Sequence, residues 1–265
     1  MSKIIRSALV IVALVTPALI PHLKGQTREA QREYYQLSIY HFNNSSQEKI
    51  LDNYLQYALL PALHKLKIKN IGVFKSHSND TVADKTLYVL TPIQSLEDIM
   101  KLNSGLTRDK EYNSKGEEYL NANYTAAPYT RMETIILRAF ALAPWLQLPN
   151  LKGPKKDRVY ELRSYESATE RIFQNKVKMF NEGDEIGLFK RLNFNANFYG
   201  EVIAGGKMPN LMYMTCHENK SVRDANWKAF ADDPYWKKLS AMPEYQHNVS
   251  HIDINFLYPA EYSDY

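Results

Sequence analysis

The chain has 265 residues, 45% hydrophobic and 23% charged, which is the composition of an ordinary folded protein and excludes a disordered or fibrous one. Its formal charge of +4 falls to +1 when Lys3, Arg6 and Lys24 are set aside with the N-terminal segment, and the remainder lacks the basic stripe of a nucleic-acid reader. The single cysteine, Cys216, excludes an intrachain disulfide, so the fold must rest on a hydrophobic core, which this length allows.

Lys3 and Arg6 precede an apolar run, Ala8–Ile20, followed by Pro21 and a polar start after Gly25. A basic n-region, a short h-region and a small residue read as a secretory signal peptide over residues 1–25. The run is shorter than a spanning helix needs, and Pro17 interrupts it. The expected location is therefore secreted or periplasmic, with no stable membrane span after cleavage.

The first half is expected over residues 26–143. Tyr34–Phe42 alternates, with Tyr35, Leu37 and Ile39 on one face and Gln36, Ser38 and Tyr40 on the other, and predicts a strand. Asn43–Ser46 offers helix caps, and Ile50, Leu51, Tyr54, Leu55, Ala58, Leu59, Leu63 and Leu66 recur at helical spacing. Pro61 should kink or split that helix. Ile71–His77 and Lys85–Pro92 predict two strands around a polar turn. Ser95-Leu96-Glu97-Asp98 is a capping box opening a second helix. Asn113–Pro128 shows no period and reads as an irregular excursion, and Arg131–Phe140 closes the half as a strand.

Residues 144–158 hold Pro144, Pro149, Gly153 and Pro154 and form the expected linker. The second half, residues 159–265, repeats the order. Val159–Glu166 is a strand. Ala168–Leu192 is helical with a break near Gly183. Asn197–Ala204 and Leu211–His217 are strands, Ser221-Val222-Arg223-Asp224 reads as another capping box, and His251–Tyr258 is a last strand. Tyr35 maps onto Tyr160 and Ser95 onto Ser221 at nearly constant offset, which argues for duplication. Two βαββαβ units, each with helices on one sheet face, predict an α+β fold: tandem ferredoxin-like repeats packed as an α/β barrel. One chain supplies both sheets, so no second copy is needed to close it.

YELRSY (160–165), FYGEVIAGGKMPNLMYM (198–214) and NWKAFADDPYWKKLS (226–240) resemble the NIPSNAP family in its bacterial secreted form. The first half matches only in layout, reading QLSIY where the family pattern has ELR-x-Y. The resemblance implies the dimeric α/β-barrel superfamily fold and supplies no catalytic residue and no cofactor.

Leu162 is expected to face the helices, as Leu37 does, with Met212, Met214 and Cys216. Glu161, Arg163 and Tyr165, with Tyr213, Thr215 and His217, should then line the barrel interior. With Tyr40 they are the candidate ligand-pocket residues: Arg163 as an anion anchor, His217 as acid, base or ligand, tyrosines as walls. The alternative is a packed core in which Glu161 and Arg163 pair. His217, His247 and His251 lie on different elements without metal-ligand spacing, so no metal is assigned. Trp227 and Phe230 share a helix face and read as core, and Asp232-Asp233-Pro234 reads as a turn with a helix restart. Two functions remain: a binding or interaction module using the barrel cavity or a helix face, for a small molecule or a protein partner, or a small-molecule enzyme, monooxygenase- or isomerase-like by resemblance.

Overall fold

Strand β1 (Tyr34–Phe42) opens the first repeat and pairs on both sides, as the alternation of Tyr35, Leu37 and Ile39 with polar neighbours allows. The computed structural model describes residues 31–265; the segment expected to be a signal peptide lies outside the described residues. After β1 the chain enters α1 (Ser45–Tyr54), capped by Asn44, whose side chain accepts from the Gln47 backbone N–H. A five-residue π-helical turn, Leu55–Leu59, separates α1 from α2 (Leu60–Lys65). The split falls just before Pro61, the residue expected to cause it.

Strands β2 (Gly72–Ser76) and β3 (Lys85–Ile93) follow, then α3 (Leu96–Arg108) with its cap at Ser95. The stretch read as irregular is helical in short pieces: α4 (Lys110–Lys115), α5 (Glu117–Leu120) and a 3₁₀ turn at Tyr124–Ala126. Each piece is too short to show a period in sequence. β4 (Arg131–Ala139) completes the repeat.

The second repeat runs β5 (Val159–Glu166), α6 (Glu170–Asn181), α7 (Glu185–Arg191), β6 (Phe198–Ala204), β7 (Asn210–His217), α8 (Lys220–Asp232), α9 (Pro234–Ser240) and β8 (His251–Pro259). The cap of α8 is Asn219, which accepts from the Val222 N–H, and not Ser221. Asn219→Ala is therefore expected to cost about 1 kcal/mol in urea denaturation. Ser221→Ala, inside the helix, should cost close to nothing; the reverse order would restore the sequence-based reading.

The eight strands close a barrel in the order β1-β3-β2-β8-β5-β7-β6-β4, all neighbours antiparallel. Each repeat contributes four adjacent strands in the same internal order. Leu37 opposes Leu90 on β1 and β3, and Leu162 opposes Met214 on β5 and β7, so the duplicated halves share one register.

The faces are the reverse of the expectation. Tyr35, Leu37, Leu90, Tyr160, Leu162, Met212, Met214 and Cys216 pack together across both repeats, inside the barrel. Glu161, Arg163, Tyr165, Tyr213, Thr215 and His217 point outward, under the helices, as do Gln36, Ser38 and Tyr40. β5 is buried on both faces from Val159 to Tyr165, so polarity along it could not tell inside from outside. The narrow middle of the inside takes packed apolar side chains. The helix side offers polar partners from α8.

One end of the barrel is plugged. Tyr35 packs on Phe198, Phe74 on Tyr160, and Tyr265 closes against both Phe74 and Tyr160. Leu146 and Leu151 of the connecting segment pack on the same cluster. No helix among the described residues is long and apolar enough to cross a membrane.

Candidate functional site

The six second-repeat candidates meet in one layer between β5, β7 and α8. Glu161, fully buried, accepts from Arg163 Nε at 2.7 Å, from Arg223 Nε and Nη2 at 2.7 Å each, and from Trp227 Nε1 at 2.7 Å. The Arg163 guanidinium lies 3.7 Å from the Trp227 ring centroid and donates to the Tyr165 hydroxyl, which shares a 2.8 Å bond with Tyr213. Burial opposes ionisation of Glu161, but the Arg223 and Arg163 guanidiniums and the Trp227 N–H outweigh it and hold its carboxyl below the usual range. His217 accepts at Nδ1 from Asn226 and contacts Thr215 Oγ1 through Nε2 at 3.2 Å. Here the side chains already satisfy one another. Arg223 and Trp227 complete the layer, and sequence reasoning left Arg223 unmarked because it lies about 60 residues from its partner.

The equivalent place in the first repeat is open. Across the shared register, Gln36, Ser38, Tyr40, Val89 and Thr91 stand where Glu161, Arg163, Tyr165, Tyr213 and Thr215 stand in the second. Small side chains replace the arginine and the tyrosine, and a cleft of about 370 Å³ results. Its floor is Gln36, Ser38 and Thr91, with Thr134 at its edge; Leu59, Leu63, Leu102 and Leu106 form an apolar wall. Tyr40, Tyr54, Tyr112 and Tyr119 make the aromatic side. Tyr54 and Tyr119 stack with centroids 3.7 Å apart, and the Tyr54 and Tyr112 hydroxyls share a 2.9 Å bond. Leu59 comes from the π-helical turn, a distortion often found beside functional sites.

None of the cleft-lining residues is a carboxylate, histidine, lysine, arginine or cysteine. Burial pushes the Tyr40 hydroxyl up to about 12, and the Tyr54 and Tyr119 hydroxyls higher still. The cleft can therefore hold an uncharged, largely apolar molecule and orient it with a few hydrogen bonds. Tyr40 is the one sequence-picked residue on its wall. The rest were missed because their significance lies in what they are smaller than, which only superposing the repeats reveals.

A second opening of about 380 Å³ is the unplugged barrel mouth, lined by His41, Tyr88, Arg131, Glu133, Ser164, Lys207, Asn210 and Asp253 among others.

An eight-stranded antiparallel barrel of two βαββαβ repeats with helices outside is the dimeric α/β-barrel architecture, here completed by one chain. Residues 160–264, the second repeat, match the NIPSNAP family model. Comparison with curated proteins gives no match. Among solved structures, a protein of Lactobacillus acidophilus described as a candidate monooxygenase is similar with a TM-score of 0.57 at 10% identity, over 86% of this chain and 94% of that one. One of Fusobacterium nucleatum with the same description has a TM-score of 0.54 at 7% identity, over 87% and 93%. An anthrone oxidase-like protein has a TM-score of 0.50 at 10% identity, over 88% and 93%. At these identities the likeness is one of fold.

Proposed function

We propose that the chain is an exported small-molecule-binding protein that takes an uncharged, mostly apolar ligand in the first-repeat cleft. One observation carries this reading. The duplicated layer that is filled by Arg163, Tyr213 and their partners in the second repeat is left empty over Ser38 and Val89 in the first. An apolar pocket with a few polar groups on its floor is the common form of a small-molecule site. Export rests on the basic and apolar pattern of residues 1–25 and is tested by finding the chain, shortened at its N-terminus, outside the cytoplasm.

Binding is tested with Nile red, an uncharged apolar fluorophore. The chain should enhance its emission saturably. Thr134 is exposed at the edge of the cleft, so Thr134→Trp should block entry and weaken the probe about tenfold or more, 1.4 kcal/mol, with no loss of stability. Equal binding by the variant would remove the cleft as the site.

The second reading is an oxidative enzyme using the same cleft, favoured by fold neighbours described as a candidate monooxygenase and as anthrone oxidase-like. General acid–base catalysis needs a group titrating near the working pH, and the cleft lining offers none, which supports binding over acid–base turnover. Oxygen uptake on addition of the molecule extracted from the purified protein would decide for the enzyme.

A further inference from the structure

The barrel mouth is ringed by side chains that share the inward-facing register of β5, β7 and β8. Glu166 continues the series Tyr160, Leu162, Ser164. Asp253 and His251 continue the series from Leu257. Asn210 begins the series Met212, Met214. Glu166 and His251 are directly opposed across the β5–β8 ladder, and Asp253 is two residues along on the same face. The Glu166 and Asp253 carboxylates and the His251 imidazole place one donor atom each within 4.8 Å of one another.

The pseudo-symmetric positions on the first repeat are His41, Arg131 and Glu133. There the Arg131 guanidinium is the built-in cation, 3.0 Å from Glu133 and 3.1 Å from the His41 ring. In the second repeat His251 replaces that arginine, its Nε2 lies 3.1 Å from Asp253 Oδ1, and Lys207 of the β6–β7 loop pairs with the other Asp253 oxygen at 2.5 Å. A second feature of the same mouth points to a ligand. Asn210, 2% exposed, has one amide atom bonded to Ser164 Oγ at 2.9 Å, while the other, Oδ1, is buried without a partner. A buried amide oxygen without a donor costs free energy until something meets it.

We propose that Glu166, His251 and Asp253 form a three-ligand site for a divalent transition-metal ion at the rim of the barrel mouth, its remaining coordination positions turned toward the cavity and Asn210. One imidazole with two carboxylate oxygens suits zinc, cobalt, manganese or ferrous iron rather than calcium. With metal–ligand bonds of about 2.0–2.2 Å, the donors must draw slightly closer than they stand. His251, with 58% of its side chain exposed, already brings Nε2 to 3.1 Å from Asp253 Oδ1. Lys207 acts as the counter-ion that the metal displaces.

The test is calorimetric titration of the untagged chain with zinc, and with cobalt read by its visible absorption. One equivalent should bind. His251→Ala should weaken it about tenfold or more; His251 is exposed, so folding is not at risk. Lys207→Ala should tighten binding several-fold, because the displaced ammonium is gone. A merely sticky surface histidine would not respond to that change. Absence of binding, or binding that His251→Ala and Asp253→Asn leave unchanged, overturns the proposal.

Discussion

Glu161→Ala is expected to be the most damaging single substitution in the second repeat, lowering stability by about 3–5 kcal/mol. The carboxylate is fully buried and holds two arginines and an indole together. Removing it leaves the Arg163 guanidinium without a carboxylate and facing Arg223, which keeps only Asp224 at 3.0 Å; the two arginine side chains are only 11% and 15% exposed. The loss measures chiefly the penalty of stranding the Arg163 charge and not the net worth of the network. Replacing Glu161, Arg163 and Arg223 together by leucine and methionines of similar volume should therefore cost much less than Glu161→Ala alone. Urea denaturation of the two variants checks both statements, and a loss below about 1 kcal/mol for Glu161→Ala would show that the carboxylate is dispensable. Because its folded pKa is depressed, Glu161 contributes stability that is present above its unfolded value near 4.5 and lost as pH falls through the lower folded value.

His217 sets a different pH window. Burial first, and then the nearby Arg223 and Arg163 against the opposing pull of Glu161, lowers its imidazole from 6.5 to about 4. Above pH 6.5 neither the folded nor the unfolded state carries the proton. Between 6.5 and about 4 the unfolded chain takes it up and the folded chain does not, so stability falls as pH falls. The shift corresponds to about 3 kcal/mol, fully lost by pH 4. The hydrogen bonds agree, since Asn226 Nδ2 donates to Nδ1, and a protonated ring would present a donor to a donor. Stability measured from pH 7 to 5 should slope downward, and His217→Gln should flatten that slope while lowering the starting value. An unchanged slope in the variant would assign the acid sensitivity elsewhere.

The element order, the two βαββαβ repeats and the NIPSNAP character of the second could be read from residues alone. Period-2 runs such as Tyr34–Phe42 and Val159–Glu166, the caps at Asn44 and Ser95, and the motifs between Tyr160 and Ser240 are local, and local geometry is what side-chain periodicity reports. The misplaced cap of α8 has a local origin too. Ser221 looked like a cap because Asp224 follows it at the right spacing, but the chain leaves β7 early enough for Asn219 to take the position. Its distance from Ser95 is then 124 residues, matching the Leu90-to-Met214 offset rather than the Tyr35-to-Tyr160 one.

Which face of β5 looks inward was decided only by closure of the barrel. Both faces are buried, so alternation between Leu162 and Arg163 carries no sign. The sign comes from partners far along the chain: Leu37, Leu90 and Leu257 on one side, Arg223 and Trp227 on the other. The same holds for both openings. The cleft exists because Ser38 and Val89 are small where Arg163 and Tyr213 are large, and the mouth exists because the aromatic plug around Tyr265 fills only one end. Composition and repeat are properties of the string of residues. Cavity, facing and charge pairing are properties of distances between residues that the string keeps far apart.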